Sequence, residues 1–225
     1  MDLTLHTLGD YLNLLEERNL LAAPIPQNLD RTAPVSLVSY DSRNVVPGTL
    51  FLCKGAHFKP EFLQSAKDLG AAAYVSAQPY PQVDLPCILV SDMREAIAPL
   101  ADLYYNHPSG ELKVIGITGT NGKTTTTILI KQILEKTLGA KVGLIGSISN
   151  MIGDEEFHAE HTTPESCDLQ ALFRQMADAG CTHCVMEVSS HSLVLRRVAG
   201  VHFAVGLFTN LTQDHLDFHN TMEEY

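Results

Sequence analysis

The sequence predicts an α/β protein in two parts: a small α/β N-terminal domain, then a second domain built on a mostly parallel sheet. Three observations carry this. From residue 112 onward, short apolar runs alternate with helical stretches, two of them ended by glycine. That strand–helix–strand rhythm builds parallel sheets with helices on their faces. Before residue 106 helix and strand signals also alternate. Between the two regions, Asn106-His107-Pro108-Ser109-Gly110 is a cluster of breakers that reads as a linker, which sets domains at 1–107 and 108–225. A chain of 225 residues holds one large domain or two small ones, and 45% apolar with 18% charged residues suffices for a packed core.

Taken in order, Thr7 reads as the N-cap of a helix over 8–20, with Leu8, Tyr11, Leu12, Leu15 and Leu20 at helical spacing. Short strands are expected at 37–40, 50–53, 72–76 and 87–90. Asp92 and Glu95 have capping-box spacing ahead of a helix to about Tyr105. In the second part, 112–118 is an apolar strand and 123–138 a helix ended by Gly139. A strand at 141–147, a helix at 168–179 closed by Gly180, and strands at 182–188 and 201–209 complete the pattern.

The polar motifs fall beyond the C-terminal ends of these strands, where open α/β sheets bind ligands. Gly116-Ile117-Thr118-Gly119-Thr120-Asn121-Gly122-Lys123-Thr124-Thr125 joins an apolar strand to a helix and reads as a phosphate-binding loop. Glycines there turn backbone N–H groups toward phosphate oxygens, Lys123 reaches the β/γ-phosphates, and the Thr124 hydroxyl suits Mg²⁺. The spacing is Gly-x-x-Gly-x-x-Gly-Lys-Thr; Gly116 lies one residue too far from Gly122 for the usual pattern.

Cys184-Val185-Met186-Glu187-Val188-Ser189-Ser190-His191 delivers Glu187 at a strand end, either as a Mg²⁺-organising acid or as a solvated surface carboxylate. The adjoining Ser-Ser-His favours the former. In Phe208-Thr209-Asn210-Leu211-Thr212-Gln213-Asp214-His215-Leu216-Asp217-Phe218-His219, His215 could ligate a metal. Asp214 and Asp217 are preferred as the N-cap and first turn of a new helix. The segment lacks the Asn-Lys-x-Asp reader of guanine, which favours ATP. Cys181-Thr182-His183-Cys184 has metal-ligand spacing but no second pair, and reads as structural.

A net charge of −11 argues against a nucleic-acid surface, which needs clustered Lys and Arg. No apolar run is long enough to span a membrane. Met1-Asp2-Leu3-Thr4-Leu5 lacks a signal-peptide layout, and five cysteines fit a reducing compartment, so a cytoplasmic protein is expected.

Together these segments resemble the Mur ligase family, ATP-dependent amide-forming enzymes that build the peptidoglycan stem peptide. The loop over 118–125 is similar to theirs, altered spacing included. Asp41-Ser42-Arg43 with Pro47-Gly48-x-Leu50-Phe51, His161-Thr162-Thr163-Pro164-Glu165, and the segments 186–191 and 208–219 resemble the branch that adds a diamino acid to UDP-MurNAc-L-Ala-D-Glu.

The resemblance implies a first domain that holds the UDP end of the substrate and a central ATP-binding domain. Ser42, Gly55, Ala56, His57 and Phe58 would contact UDP, and Thr162, Thr163, Ser189 and Arg197 the muramoyl-dipeptide. Gly119, Thr120, Asn121, Gly122, Lys123, Thr124, Thr125 and Asn210 would bind ATP. Thr124, Glu187 and His215 would hold Mg²⁺, with Lys123, Glu187 and His215 catalytic. The expected partners are UDP-MurNAc-dipeptide and an amino acid, with no nucleic acid or membrane, acting on a monomer.

Two positions depart from the family: Leu195 stands where some members have Gln, and His161 where some have Asn. A carbamylated Lys is expected shortly after Tyr225, followed by an amino-acid-binding domain, so the chain is expected to be an inactive fragment of a longer enzyme. Alternatives are another Mur ligase, a folylpolyglutamate-synthetase-like ligase, or a nucleotide-binding module without catalysis.

Overall fold

A computed structural model describes residues 3–55 and 58–225. The chain divides into two compact units, one ending at Asn106 and the other running from His107 to Tyr225.

The first unit is a four-stranded parallel sheet in the order β1(Leu37–Ser39), β2(Thr49–Leu52), β3(Ala73–Ser76), β4(Cys87–Leu89). Helix α1(Leu8–Glu17) begins with a full capping box: the Thr7 hydroxyl accepts from the Asp10 amide, and the Asp10 carboxylate accepts from the Thr7 amide at 2.7 Å. Its buried face is Leu8, Tyr11, Leu12 and Leu15. The helix stops at Glu17 rather than 20, because Asn19 takes a left-handed φ of 55°. Helix α2(Pro60–Asp68) was absent from the sequence pattern; Pro60 reads as a breaker but sits at N1, where its fixed φ favours a helix start. Helix α3(Met93–Tyr104) starts at Asp92, whose side chain accepts from the Arg94 amide at 2.7 Å; the cap is on N2, not the expected box with Glu95. Leu50, Phe51 and Leu52 of β2 are fully buried, and the sheet forms the core of this unit.

The second unit is a six-stranded sheet in the order β10-β5-β9-β6-β7-β8. Its strands are β5(Lys113–Thr118), β6(Val142–Ile145), β7(Ser149–Ile152), β8(Glu155–His158), β9(His183–Glu187) and β10(Phe203–Phe208). The first four in that order run parallel; β6–β7 and β7–β8 are antiparallel. The β7–β8 hairpin was not foreseen. Its signal is the two-residue turn Gly153-Asp154, with Gly153 at φ 62°, and β8 is exposed throughout and lacks the alternation that marks a half-buried strand. Helix α4(Lys123–Leu138) covers one face over Ile117, Val142 and Val185, and α5(Ser166–Asp178) belongs to the larger cluster around Leu169, Phe173 and Met176. Short helices α6(Ser190–Val194) and α7(Leu216–His219) follow β9 and β10. Among the described residues no helix is long and apolar enough to cross a membrane.

Candidate active site

Strand β5 ends at Thr118 and α4 starts at Lys123, so the loop between them is 119–122. Gly119 (φ 124°) and Gly122 (φ 86°) take conformations that side chains resist. Gly116 serves a different purpose. It lies within β5, where a Cβ would meet the Phe203 ring at 2.5 Å, so its bare backbone admits that ring rather than phosphate.

The loop is braced from the end of β10. The Asn210 carboxamide accepts from the Asn121 amide at 3.1 Å and donates to the Asn121 carbonyl at 3.0 Å, while the Asn210 carbonyl accepts from the Thr120 amide at 2.9 Å. Thr209 donates to the Asn121 carbonyl at 2.8 Å. Asn210 therefore acts on the loop's shape. The Lys123 ammonium curls over the loop and donates to the carbonyls of Gly119 (2.7 Å) and Thr120 (3.0 Å).

Glu187 ends β9, opposite Ile117 of β5, and the parallel pairing sets it beside the loop. It is 1% exposed, and its carboxylate accepts from the Ser147 amide at 2.9 Å and the Ser147 hydroxyl at 3.2 Å. A buried carboxylate held by neutral donors from the end of β6, rather than by a cation, keeps acceptor capacity for a ligand. Gly146 makes room for it: a Cβ there would lie 2.6 Å from Glu187 Oε1.

Thr163 fastens the next segment. Fully buried, its hydroxyl donates to the Glu187 carbonyl at 2.9 Å and accepts from the Ser189 amide at 3.0 Å. Arg197 donates to the Thr163 carbonyl at 3.1 Å and pairs with Glu165 at 2.5 Å. Its Nε is buried without a hydrogen-bond partner among the described residues.

These groups line one cleft of about 670 Å³ that includes Thr120, Asn121, Gly122, Lys123 and Thr124 of the loop. Glu187, Thr162, Thr163, Ser189, Arg197 and His215 complete the predicted part of its wall. Gly119, Thr125 and Asn210 are not in the lining. His161 and Leu195, the two departures from the family pattern, do line it, as do His191 of the Ser-Ser-His run and Ser147 and Glu160, which no motif marked. Ser147 was visible as the end of a predicted strand beside Gly146.

His215 holds a left-handed φ of 53° at the N-cap position of α7. Asp214, expected as that cap, lies one residue early and accepts from the His215 amide at 2.8 Å; Asp217 is in the first turn as expected. Burial, with His215 and His219 nearby, holds the His191 imidazole below its ordinary pKa. Cys181 and Cys184 are buried, and no group of three or more His, Cys, Asp and Glu with metal-binding geometry occurs among the described residues.

Ser42, Gly55 and Phe58 belong to the first unit. Ser42 sits in a turn shaped by Asp41, which accepts from the Arg43 amide at 2.9 Å and its guanidinium at 2.6 Å. Gly55 has φ 101°, with nothing near the place of a Cβ. Phe58 packs against Tyr80 at 5.4 Å with the rings tilted by 57°, next to the core, and Ala56 and His57 lie outside the described residues.

The sequence pattern of the Mur ligase middle domain matches residues 117–225. A UDP-N-acetylmuramoyl-L-alanyl-D-glutamate–2,6-diaminopimelate ligase of Clostridium botulinum is 49% identical over 197 residues, 85% of this chain. Its counterpart in Geobacillus kaustophilus is 53% identical over 187 residues, 82% of this chain. The chain belongs to the Mur ligase family. It spans 41% and 38% of those two relatives' lengths. A solved structure of an enzyme of that name superimposes on 99% of this Mur ligase chain with a TM-score of 0.79 at 26% identity, and the chain covers 43% of it.

Proposed function

We propose that this chain carries the nucleotide-binding and UDP-substrate-binding parts of a cytoplasmic, ATP-dependent ligase that adds a diamino acid to UDP-MurNAc-L-Ala-D-Glu. The observation that carries this is the single cleft in which Lys123 and Thr124 face the buried Glu187 and the Thr163–Ser189–Arg197 cluster. One end offers amides and an ammonium suited to phosphate; the other offers hydroxyls and a guanidinium suited to an anionic, hydroxyl-rich substrate. The relatives' names supply the substrate class.

A carboxylate is a poor acyl donor because its leaving group would be oxide. Transfer of the terminal phosphoryl of ATP to the substrate carboxylate gives an acyl phosphate, from which an amine displaces phosphate. In this reading, Lys123 and the first-turn amides of α4, which have no partner within the helix, neutralise charge on the phosphoryl oxygens in flight, the largest contribution in such transfers. Arg197 and Ser189, both in the cleft wall, hold the substrate carboxylate end in line. The donor set fits Mg²⁺: one carboxylate and one hydroxyl at a phosphate loop are how this ion is usually taken, with phosphates and waters filling its shell. Glu187, Thr124 and His215 would hold it, and its charge would offset that of the triphosphate. Ser42 and the 55–58 segment are proposed for the UDP moiety. A monomer is expected.

Binding of an ATP analogue with Mg²⁺, followed by calorimetry, tests the nucleotide end. Lys123→Ala is expected to weaken it at least tenfold, and Glu187→Gln to remove its Mg²⁺ dependence while leaving the fold intact. Equal affinity in both variants and the unaltered chain would refute the assignment.

A further inference from the structure

We propose that His191 is a positioning residue whose ring fixes the orientation of the His215 imidazole at the cleft. The inference rests on the reading of His215 as a cleft ligand. A ligating imidazole is ordinarily oriented by a hydrogen bond to its other nitrogen. His215 has none among the described residues: Asp214 Oδ2, 3.7 Å from Nε2, is beyond hydrogen-bond reach. Its side chain is 42% exposed, so burial does not fix it either.

Ring contacts do. The His191 ring meets His215 edge to face at 4.9 Å and 87°. On another side His191 is tilted against Phe218 at 4.1 Å and 32°, and it touches the His219 ring at 5.6 Å. His219 is 4% exposed, and its Nε2 lies 2.8 Å from the Ser190 hydroxyl, next to His191 in the chain. The His191 ring is thus held from α7 by Phe218 and His219, and from α6 by its own backbone, and it presents one surface to His215. Edge-to-face packing of this kind restricts ring rotation without a polar partner. Tyr225 also meets the His215 ring edge to face, at the longer distance of 6.1 Å and 84°, so His191 is the nearer of the two rings that set its plane.

Histidine-labelled NMR of the chain, joined to Mn²⁺ titration, tests this. In the unaltered chain His215 should give one sharp ring signal shifted by its aromatic neighbours. His191→Ala should move that signal toward the free-imidazole position and weaken Mn²⁺ binding about tenfold, the usual scale for a lost orienting partner. His191→Phe, which keeps a ring, should retain the shift and most of the affinity. His191→Leu fills the space without a ring and replaces the alanine variant should that one unfold. An unchanged His215 signal in the alanine or leucine variant overturns the proposal. So does a phenylalanine variant as weak for Mn²⁺ as alanine, since His191 would then itself be a ligand. Failure of the unaltered chain to bind Mn²⁺ counts against His215 as a ligand, while the ring signal still decides whether His191 orients it.

Discussion

Thr163 shows how much one buried hydroxyl can hold. It spans the Glu187 carbonyl and the Ser189 amide, so it fixes the exit of β9 on both sides of Val188. Thr163→Val keeps the volume and removes the hydroxyl, leaving the Ser189 amide without its acceptor. The expected loss is about 1–3 kcal/mol of unfolding free energy, read from urea titration. A loss near zero would mean that water or a neighbour takes over both bonds.

Gly119 is the corresponding point in the loop. At φ 124°, with the Asn210 carbonyl 2.8 Å from where a Cβ would sit, it cannot accept a side chain without moving the brace. Gly119→Ala should abolish nucleotide binding while the circular dichroism spectrum stays native. A variant that still binds nucleotide would show that the loop tolerates a different path. Lys123, Thr124 and Glu187 line the cleft and could be placed beside one another from the sequence, because each lies at or shortly after a strand end. The sequence could not show that Asn210 spends its side chain on the loop, since the contact spans 89 residues.

At the scale of elements, α5 is tied to the turn before β5. Arg174 pairs with Glu111 at 2.6 Å and with Asp178 at 2.8 Å, and is itself only 11% exposed. Arg174 holds the Glu111 carboxyl below the usual carboxylate range. The contribution is therefore present above the ordinary carboxylate pKa and lost as the pH falls through the lowered value. Because Glu111 is about half exposed, solvent screening limits its worth to less than about 1 kcal/mol. Glu111→Gln should lower the melting temperature slightly at pH 7, and the gap to the unaltered chain should close at acid pH. A gap that widens on acidification would contradict the sign.

Elements with clear start and stop signals were readable, and those without them were not. Helix α4 runs from Lys123 to Leu138, as its pattern predicts, and is closed by Gly139 at φ 62°. Strand β8 was hidden because Glu155, Glu156, Phe157 and His158 are all exposed and carry no inward face. Helix α2 was hidden because only Leu63 and Ala66 mark its buried side. The hairpin reaches the site through β7, whose Ser149 follows closely on Ser147, the donor to Glu187.

For the whole molecule, two units carry two halves of one reading, the proposed UDP contacts in the first and the phosphate loop in the second. The fold class was legible because parallel βαβ repeats leave apolar runs of strand length between helices. The proposed substrate comes only from resemblance, since hydroxyls and one arginine in a cleft do not name a sugar. Thermal stability of the chain with UDP-MurNAc-L-Ala-D-Glu, set against UDP-MurNAc-L-Ala, tests the central claim most directly. At a hundredfold excess over the dissociation constant the dipeptide substrate should add about 2.7 kcal/mol, a rise of several degrees. The shorter compound should give much less, and Arg197→Ala should erase the difference. Equal shifts with both compounds, or none with the dipeptide, would contradict the account.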